Sequence, residues 1–198
     1  MRRQLAALAA TVLTTILAVP AAHADLIRYI ADLSGAAEAP PNASAGAGFV
    51  IADYDSTAHT LFVHTSFSGL SGNTTAAHFH CCTTTPGTGT VGVAVTPTNL
   101  TGFPTGVKSG VYDHLFDMTL ASTYTTGFIN NFAGGLLANA EGAFIAGIDA
   151  GKVYFNIHTT VVPGGEIRGF VRLPEPTGLA LVALAMAGLA LTSRRRSR

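Results

Sequence analysis

Lys152-Val-Tyr-Phe-Asn-Ile-His-Thr159, Pro163-Gly164-Gly165 and Glu166-Ile-Arg-Gly-Phe-Val-Arg-Leu173 read together as strand, tight turn and strand. Polar Asn156 and His158 alternate with Ile157, and Phe155 falls on the same inward side, which is the two-residue period of a strand. Glycine supplies the positive φ that the turn needs. Glu166 and Arg168 share one strand face, where they form an ion pair or simply cover a sheet edge.

Working outward, Leu26–Leu33, Ala47–Tyr54, Thr60–Phe67, Thr75–His80, Val91–Val95 and Val111–Leu120 show the same character. Gly, Pro, Asn and Asp punctuate them, with Pro40-Pro41-Asn42, Asp53-Tyr-Asp-Ser-Thr57 and Pro86-Gly87 as the clearest breaks. The stretch from Thr123 to Gly151 differs. Phe128, Phe132, Leu136, Leu137, Phe144, Ile145 and Ile148 fall near helical spacing, split by Gly134-Gly135, so one or two short helices are predicted there. Seven or eight short strands with one helical insertion predict an all-β fold, specifically an antiparallel β-sandwich of the immunoglobulin or superoxide dismutase kind.

Both ends of the chain read as addresses. Residues 1–24 have the layout of a signal peptide: Arg2 and Arg3, an apolar run from Leu5 to Val19, then Ala22-His23-Ala24 as the cleavage pattern after Pro20. The predicted signal helix is short for a bilayer of roughly 30 Å, which weighs against a transmembrane anchor as the alternative. At the other end, Pro174-Glu175-Pro176 precedes an apolar span over residues 177–193 and the cluster Arg194, Arg195, Arg196 and Arg198. The positive-inside rule keeps those arginines cytoplasmic. This layout resembles the PEP-CTERM sorting signal of Gram-negative bacteria. The resemblance implies an inner-membrane intermediate, with signal peptidase and an exosortase as processing partners, and delivery to the cell surface or extracellular matrix. A plain C-terminal membrane anchor is the alternative.

The apparent neutrality of the chain is made by its ends. Residues 25–173 carry five Lys/Arg against ten Asp/Glu, a net charge near −5. With no basic patch to neutralise phosphates, nucleic acid is excluded as a partner. About 150 residues remain for the mature part, which is the usual size of one domain. The two cysteines are adjacent, Cys81-Cys82. A bridge between them closes no long loop and cannot staple the fold; free thiols or metal ligands are the alternatives.

Three blocks carry a family resemblance. Leu33-Ser-Gly-Ala-Ala-Glu-Ala-Pro-Pro41 opens the domain. Gly69-Leu70 and Ala76-Ala-His-Phe-His80 lie in its middle. Gly151-Lys-Val-Tyr-Phe-Asn-Ile-His-Thr159 and Pro163-Gly-Gly-Glu-Ile-Arg-Gly169 close it. In this order they resemble the CHRD domain over about Leu26 to Arg172. The resemblance implies a β-sandwich module outside the cytoplasm without an established catalytic activity. Cys81-Cys82 and the threonine-rich loop behind them depart from that pattern.

The candidate chemistry lies in His78-Phe79-His80. Residues two apart on a strand project to one face, so both imidazoles leave together while Phe79 enters the core. If the strand carrying His158 lies alongside, three imidazoles converge, a set that suits zinc or copper. Cys81, Cys82 and His114 are candidate additional ligands. The order Gly69-Leu70, Gly72, His78-Phe-His80 and Gly151 to His158 also resembles Cu,Zn superoxide dismutase, although His114 is the only histidine between His80 and His158 and the zinc loop of that enzyme has no counterpart. The competing reading is structural, with the three rings hydrogen-bonding loop carbonyls and Asn156. No nucleophile elbow, P-loop or dinucleotide fingerprint is present. Two functions are therefore expected in competition. One is an exported, non-enzymatic surface module that contacts exopolysaccharide or surface proteins. The other is a copper- or zinc-binding domain with superoxide dismutase-like redox activity.

Overall fold

A computed structural model describes residues 26–96 and 98–175. The expected signal helix with Ala22 and Ala24, and the expected C-terminal apolar helix with Pro176, Arg194, Arg195 and Arg196, lie outside the described residues. Among the described residues, no helix is long and apolar enough to cross a membrane.

The alternating segments form eight strands: β1 (Leu26–Ser34), β2 (Ala47–Asp55), β3 (Thr60–Ser68), β4 (Thr74–His80), β5 (Val93–Val95), β6 (Gly110–Asp117), β7 (Tyr154–Thr159) and β8 (Ile167–Phe170). The insertion holds two helices, α1 (Thr126–Phe132) and α2 (Ala140–Asp149). The Thr125 side chain caps α1 by accepting from the Phe128 N–H at 3.1 Å, which satisfies one of the free donors of the first turn. Along β1, Tyr29, Ala31 and Leu33 are buried; Val50, Ala52 and Tyr54 of β2 and Leu61, Val63 and Phe67 of β3 join them. Ala77 and Phe79 of β4, with Phe155 and Ile157 of β7, complete one face of a single core. Each large side chain removed from water there contributes about 1.5–3 kcal/mol.

All-β and antiparallel are both observed. The sandwich is not: the eight strands form one sheet in the order β5-β4-β7-β8-β1-β2-β3-β6, curled as a half-barrel, where two separate packed sheets were expected. The difference arises at one seam. β1 pairs with β2 along its whole length, from Leu26↔Asp55 to Ser34↔Ala47. β8 meets β1 only through Ser34↔Arg168 and a bridge between Ile30 and Arg172. Two well-paired halves are thus sewn together by a few bonds, and strand patterning alone cannot distinguish that from two unsewn sheets. Gly169 permits the stitch, because a Cβ there would fall on the Asp32 carbonyl oxygen of β1.

Helix α2 closes the concave side. Phe144 meets the Phe79 ring edge-on at 5.8 Å. Asp149 accepts from the Tyr29 hydroxyl at 2.9 Å, and Glu141 accepts from the Tyr54 hydroxyl at 2.7 Å. The Thr123–Thr125 segment covers the outer edge of β5, with Thr96 N–H donating to Thr123 O and Thr125 N–H to Ala94 O, both at 2.9 Å.

Gly169→Val should part β8 from β1 and lower unfolding free energy by about 2–3 kcal/mol. Gly164→Ala is the control, since a Cβ at Gly164 meets nothing within 4 Å. Urea denaturation should give a clearly lower midpoint for the valine variant alone; equal midpoints would show that the seam carries no stability.

Candidate metal centre

Register alone assembles the site. β4 lies beside β7 with His78 opposite Asn156, His80 opposite Tyr154 and Ala76 opposite His158. β7 lies beside β8 with Asn156 opposite Arg168 and Tyr154 opposite Phe170. Because Phe79, Phe155 and Ile157 take the core face, His78, His80, Asn156, His158 and Tyr154 share the outer face. This face is polar yet covered: His78, His80, Asn156, Glu166 and Arg168 are all buried. The cover comes from the segment around Gly35–Ala37 and from the loops that contribute Gly89, Val91, Thr98 and Pro163.

The three imidazoles expected to meet do so. One ring nitrogen from each of His78, His80 and His158 lies within 4.8 Å of the others. Ring centroids stand 5.7 Å apart for His78–His80, 5.1 Å for His78–His158 and 6.2 Å for His80–His158. The opposite nitrogen of each ring donates to a backbone carbonyl: His78 Nε2 to Thr98 O at 3.0 Å, His80 Nδ1 to Val91 O at 2.7 Å and His158 Nδ1 to Pro163 O at 2.8 Å. A carbonyl can only accept, so these bonds fix the tautomer and turn a lone pair of each ring toward the common point. His78 Nδ1 and His158 Nε2 are buried there without a hydrogen-bond partner among the described residues.

Burial keeps all three rings neutral. It lowers His78 and His158, and it pushes His80 down to about 4 against a weaker opposing pull from the Val91 carbonyl. Tyr154 stacks flat on His80, with centroids 4.6 Å apart and planes 5° apart. The Arg168 guanidinium covers the other side of that system, 4.7 Å from the Tyr154 ring centre.

The Arg168 counter-charge is Glu38, with Nε 3.6 Å from Oε2, and not Glu166 on its own strand face. Arg168 also donates to Ala37 O and Gly89 O. Burial raises the Glu38 carboxyl to about 7 despite Arg168, and its Oε1 has no hydrogen-bond partner among the described residues. In the sequence Glu38 stands only within the Leu33–Pro41 block, and nothing local marks it as the partner of Arg168. Asn156 was noticed as an alternating polar residue, and its Oδ1 stands 3.1 Å from His80 Nε2.

The additional candidate ligands lie elsewhere. Cys81 and Cys82 are bonded to each other, and both sulfurs lie where a Cβ on Gly147 of α2 would sit. Cys81 follows His80 and so faces the core, as strand alternation requires. His114 is on β6, at the far edge of the sheet, between Tyr112 and Phe116.

A family model for the CHRD domain matches residues 29–171. No curated protein matches the chain, and no solved structure does.

The pH dependence of stability in chelator-treated protein tests the neutral-ring assignment. His80 falls from an ordinary 6.5 to about 4 on folding. Its contribution is therefore whole above pH 6.5 and is lost as pH drops from 6.5 toward 4, about 2 kcal/mol between pH 6.5 and 4.5. Glu38, raised on folding, works with the opposite sign in the same window. Chemical denaturation at pH 7 and pH 4.5 should show a shallower decline in His80→Gln than in wild type, and a steeper one in Glu38→Gln. Parallel declines in all three would contradict the assignment.

Proposed function

The chain belongs to the CHRD domain family, and from that footing we propose that it is an exported module holding one zinc or copper ion between His78, His80 and His158. One observation carries the reading: three neutral imidazoles turn their lone pairs to one point while their other nitrogens are tied to backbone carbonyls. Metal-bound histidines are held in the same way, with the second nitrogen donating to an outer acceptor that fixes the ring and its basicity. Ligand atoms on one ion with bonds of 2.0–2.1 Å stand about 3.3 Å apart at the tetrahedral angle. The 4.8 Å span needs only side-chain closure to reach that value. Neutral nitrogen donors suit both ions, and neither sulfur of the cysteine pair joins the group.

Export and sorting form the second part of the proposal. The observation in its favour is that β8 ends at Phe170 and that Leu173, Pro174 and Glu175 are exposed beyond it, so these first residues of the predicted sorting tail are open to a processing enzyme without unfolding the domain. Signal peptidase, an exosortase and the inner membrane would be partners on the way out. Exopolysaccharide or surface proteins would be neighbours at the destination.

Full-length protein offered Zn(II) and Cu(II) in turn, then desalted, should retain close to one equivalent by elemental analysis. His80→Ala should lower affinity for each ion by at least 10-fold. No retained metal in wild type removes the reading. A superoxide assay on the copper-loaded form separates a carrier from a redox enzyme.

Deleting residues 174–198 should move the protein from the membrane and cell surface to the periplasm or medium, as followed by fractionation and by protease accessibility on whole cells. An unchanged distribution would end the sorting proposal.

A further inference from the structure

His80 makes two contacts that a neutral imidazole cannot satisfy together. Nδ1 faces Val91 O at 2.7 Å and Nε2 faces Asn156 Oδ1 at 3.1 Å, and both oxygens only accept. With the single proton on Nδ1, where the contact is shorter, the Nε2 lone pair points at another lone pair. Two acceptors at this separation repel unless a cation sits between or beside them.

Turning the Asn156 amide over would relieve the clash, but Glu38 opposes it. Asn156 Nδ2 and Glu38 Oε1 line the same gap, each 2.7 Å from where a Cβ on Gly165 would be, without a hydrogen bond between them. Gly165 has φ +126°, and it leaves that spot open. A buried carboxyl group with an unpartnered oxygen favours the NH2 end of the amide beside it. A flip would set the amide oxygen there instead. The register agrees, because Asn156 stands between His78 on β4 and Arg168 on β8.

We infer that Asn156 Oδ1 is the fourth protein ligand of the metal centre, giving a closed set of three nitrogens and one oxygen. This rests on the three-histidine reading and deepens it. The 3.1 Å between His80 Nε2 and Asn156 Oδ1 is close to the roughly 3.3 Å expected of two ligands on one tetrahedral ion. A centre closed by protein leaves no coordination position for water or substrate, as in structural zinc sites. The ion then serves to be held and to clamp β4 to β7, not to activate a substrate.

Co(II) is the probe, because its visible bands report coordination number and ligand type. Full-length wild type should bind one Co(II) with the strong bands of a four-coordinate ion. Asn156→Leu should bind at least 10-fold more weakly, with weaker bands as solvent enters the sphere. Asn156→Asp, which keeps the shape and adds a charge, should bind more tightly with shifted bands, and it decides the matter if the leucine variant does not fold. Affinity and bands unchanged in the folded variants would overturn Asn156 as a ligand while leaving the three histidines in place. A wild type that takes up no Co(II), Zn(II) or Cu(II) would overturn both.

Discussion

One carboxylate holds the outer face together. Glu166 accepts from the Ser44 hydroxyl at 2.6 Å, from the Thr159 hydroxyl and the Ser71 N–H at 2.5 Å each, and from the Gly72 N–H at 3.3 Å. Burial alone would raise this group; the hydrogen bonds from Ser44, Thr159 and Ser71 together outweigh it and hold the carboxyl down to about 2. Four donors on one buried charge join three segments that are far apart in sequence: the loop after β1, the turn before β4 and the end of β7. Asn42 adds a bond from Nδ2 to the Glu166 carbonyl at 3.0 Å. The loop from Gly35 to Gly46 is thereby laid across β8, which brings Ala37 and Glu38 onto Arg168 and places Glu38 behind Asn156. The three-histidine cluster has its geometry because Glu166 keeps this cover in place.

The competing structural account of the histidines explains half of their contacts. Each ring has one good bond to a backbone carbonyl, and those bonds would hold loops against the sheet whether or not an ion is bound. The other half is left over. His78 Nδ1 and His158 Nε2 have no partner, and His80 Nε2 has only a second acceptor. A buried polar atom left unsatisfied costs about 1–3 kcal/mol, and here two such atoms lie beside His80 Nε2, which faces an acceptor. A purely structural role would have been served better by apolar residues at two of these positions. An ion would turn those costs into bonds at once, which is why the proposed metal accounts for more of the site's contacts than loop anchoring does.

Much of this was legible from two-residue periodicity. Phe79, Phe155 and Ile157 announce which face is core, and that assigns His78, His80, Asn156 and His158 to the other. The adjacency of β4 and β7 was a topological guess, and the hydrogen-bond register bears it out. The single sheet was not legible, because the stitch between β1 and β8 depends on Gly169 lying against a backbone carbonyl, and a glycine in a strand looks the same wherever it points. Nor was the Arg168 partner. Strand spacing suggested Glu166, two residues away on the same face, but that carboxylate is fully engaged by neutral donors and Arg168 reaches across to Glu38, distant in sequence. Long-range partners of this kind leave no local periodic trace. For Cys81 the alternation rule already contained the reason it does not join the histidines, since a residue adjacent to His80 faces the opposite side of the strand; Cys82 lies past the end of β4, bonded to Cys81 and set with it against Gly147.

The ligands also bear on how the chain folds. His80 and Asn156 are separated by 76 positions, and between them lie β5, β6 and both helices. Pairing β4 with β7 closes that whole stretch as a loop, and Phe144 of the insertion packs against Phe79 on the opposite face of β4. An ion bound by residues of both strands favours the paired state alone, since the unfolded chain does not hold these four groups together. Its binding energy would therefore add to the stability of the sheet at the half that is joined to β1 by few bonds. Core packing on one face and an ion on the other would then secure the same two strands, which gives a physical reason for a small domain to place its polar residues where a larger one would place more core.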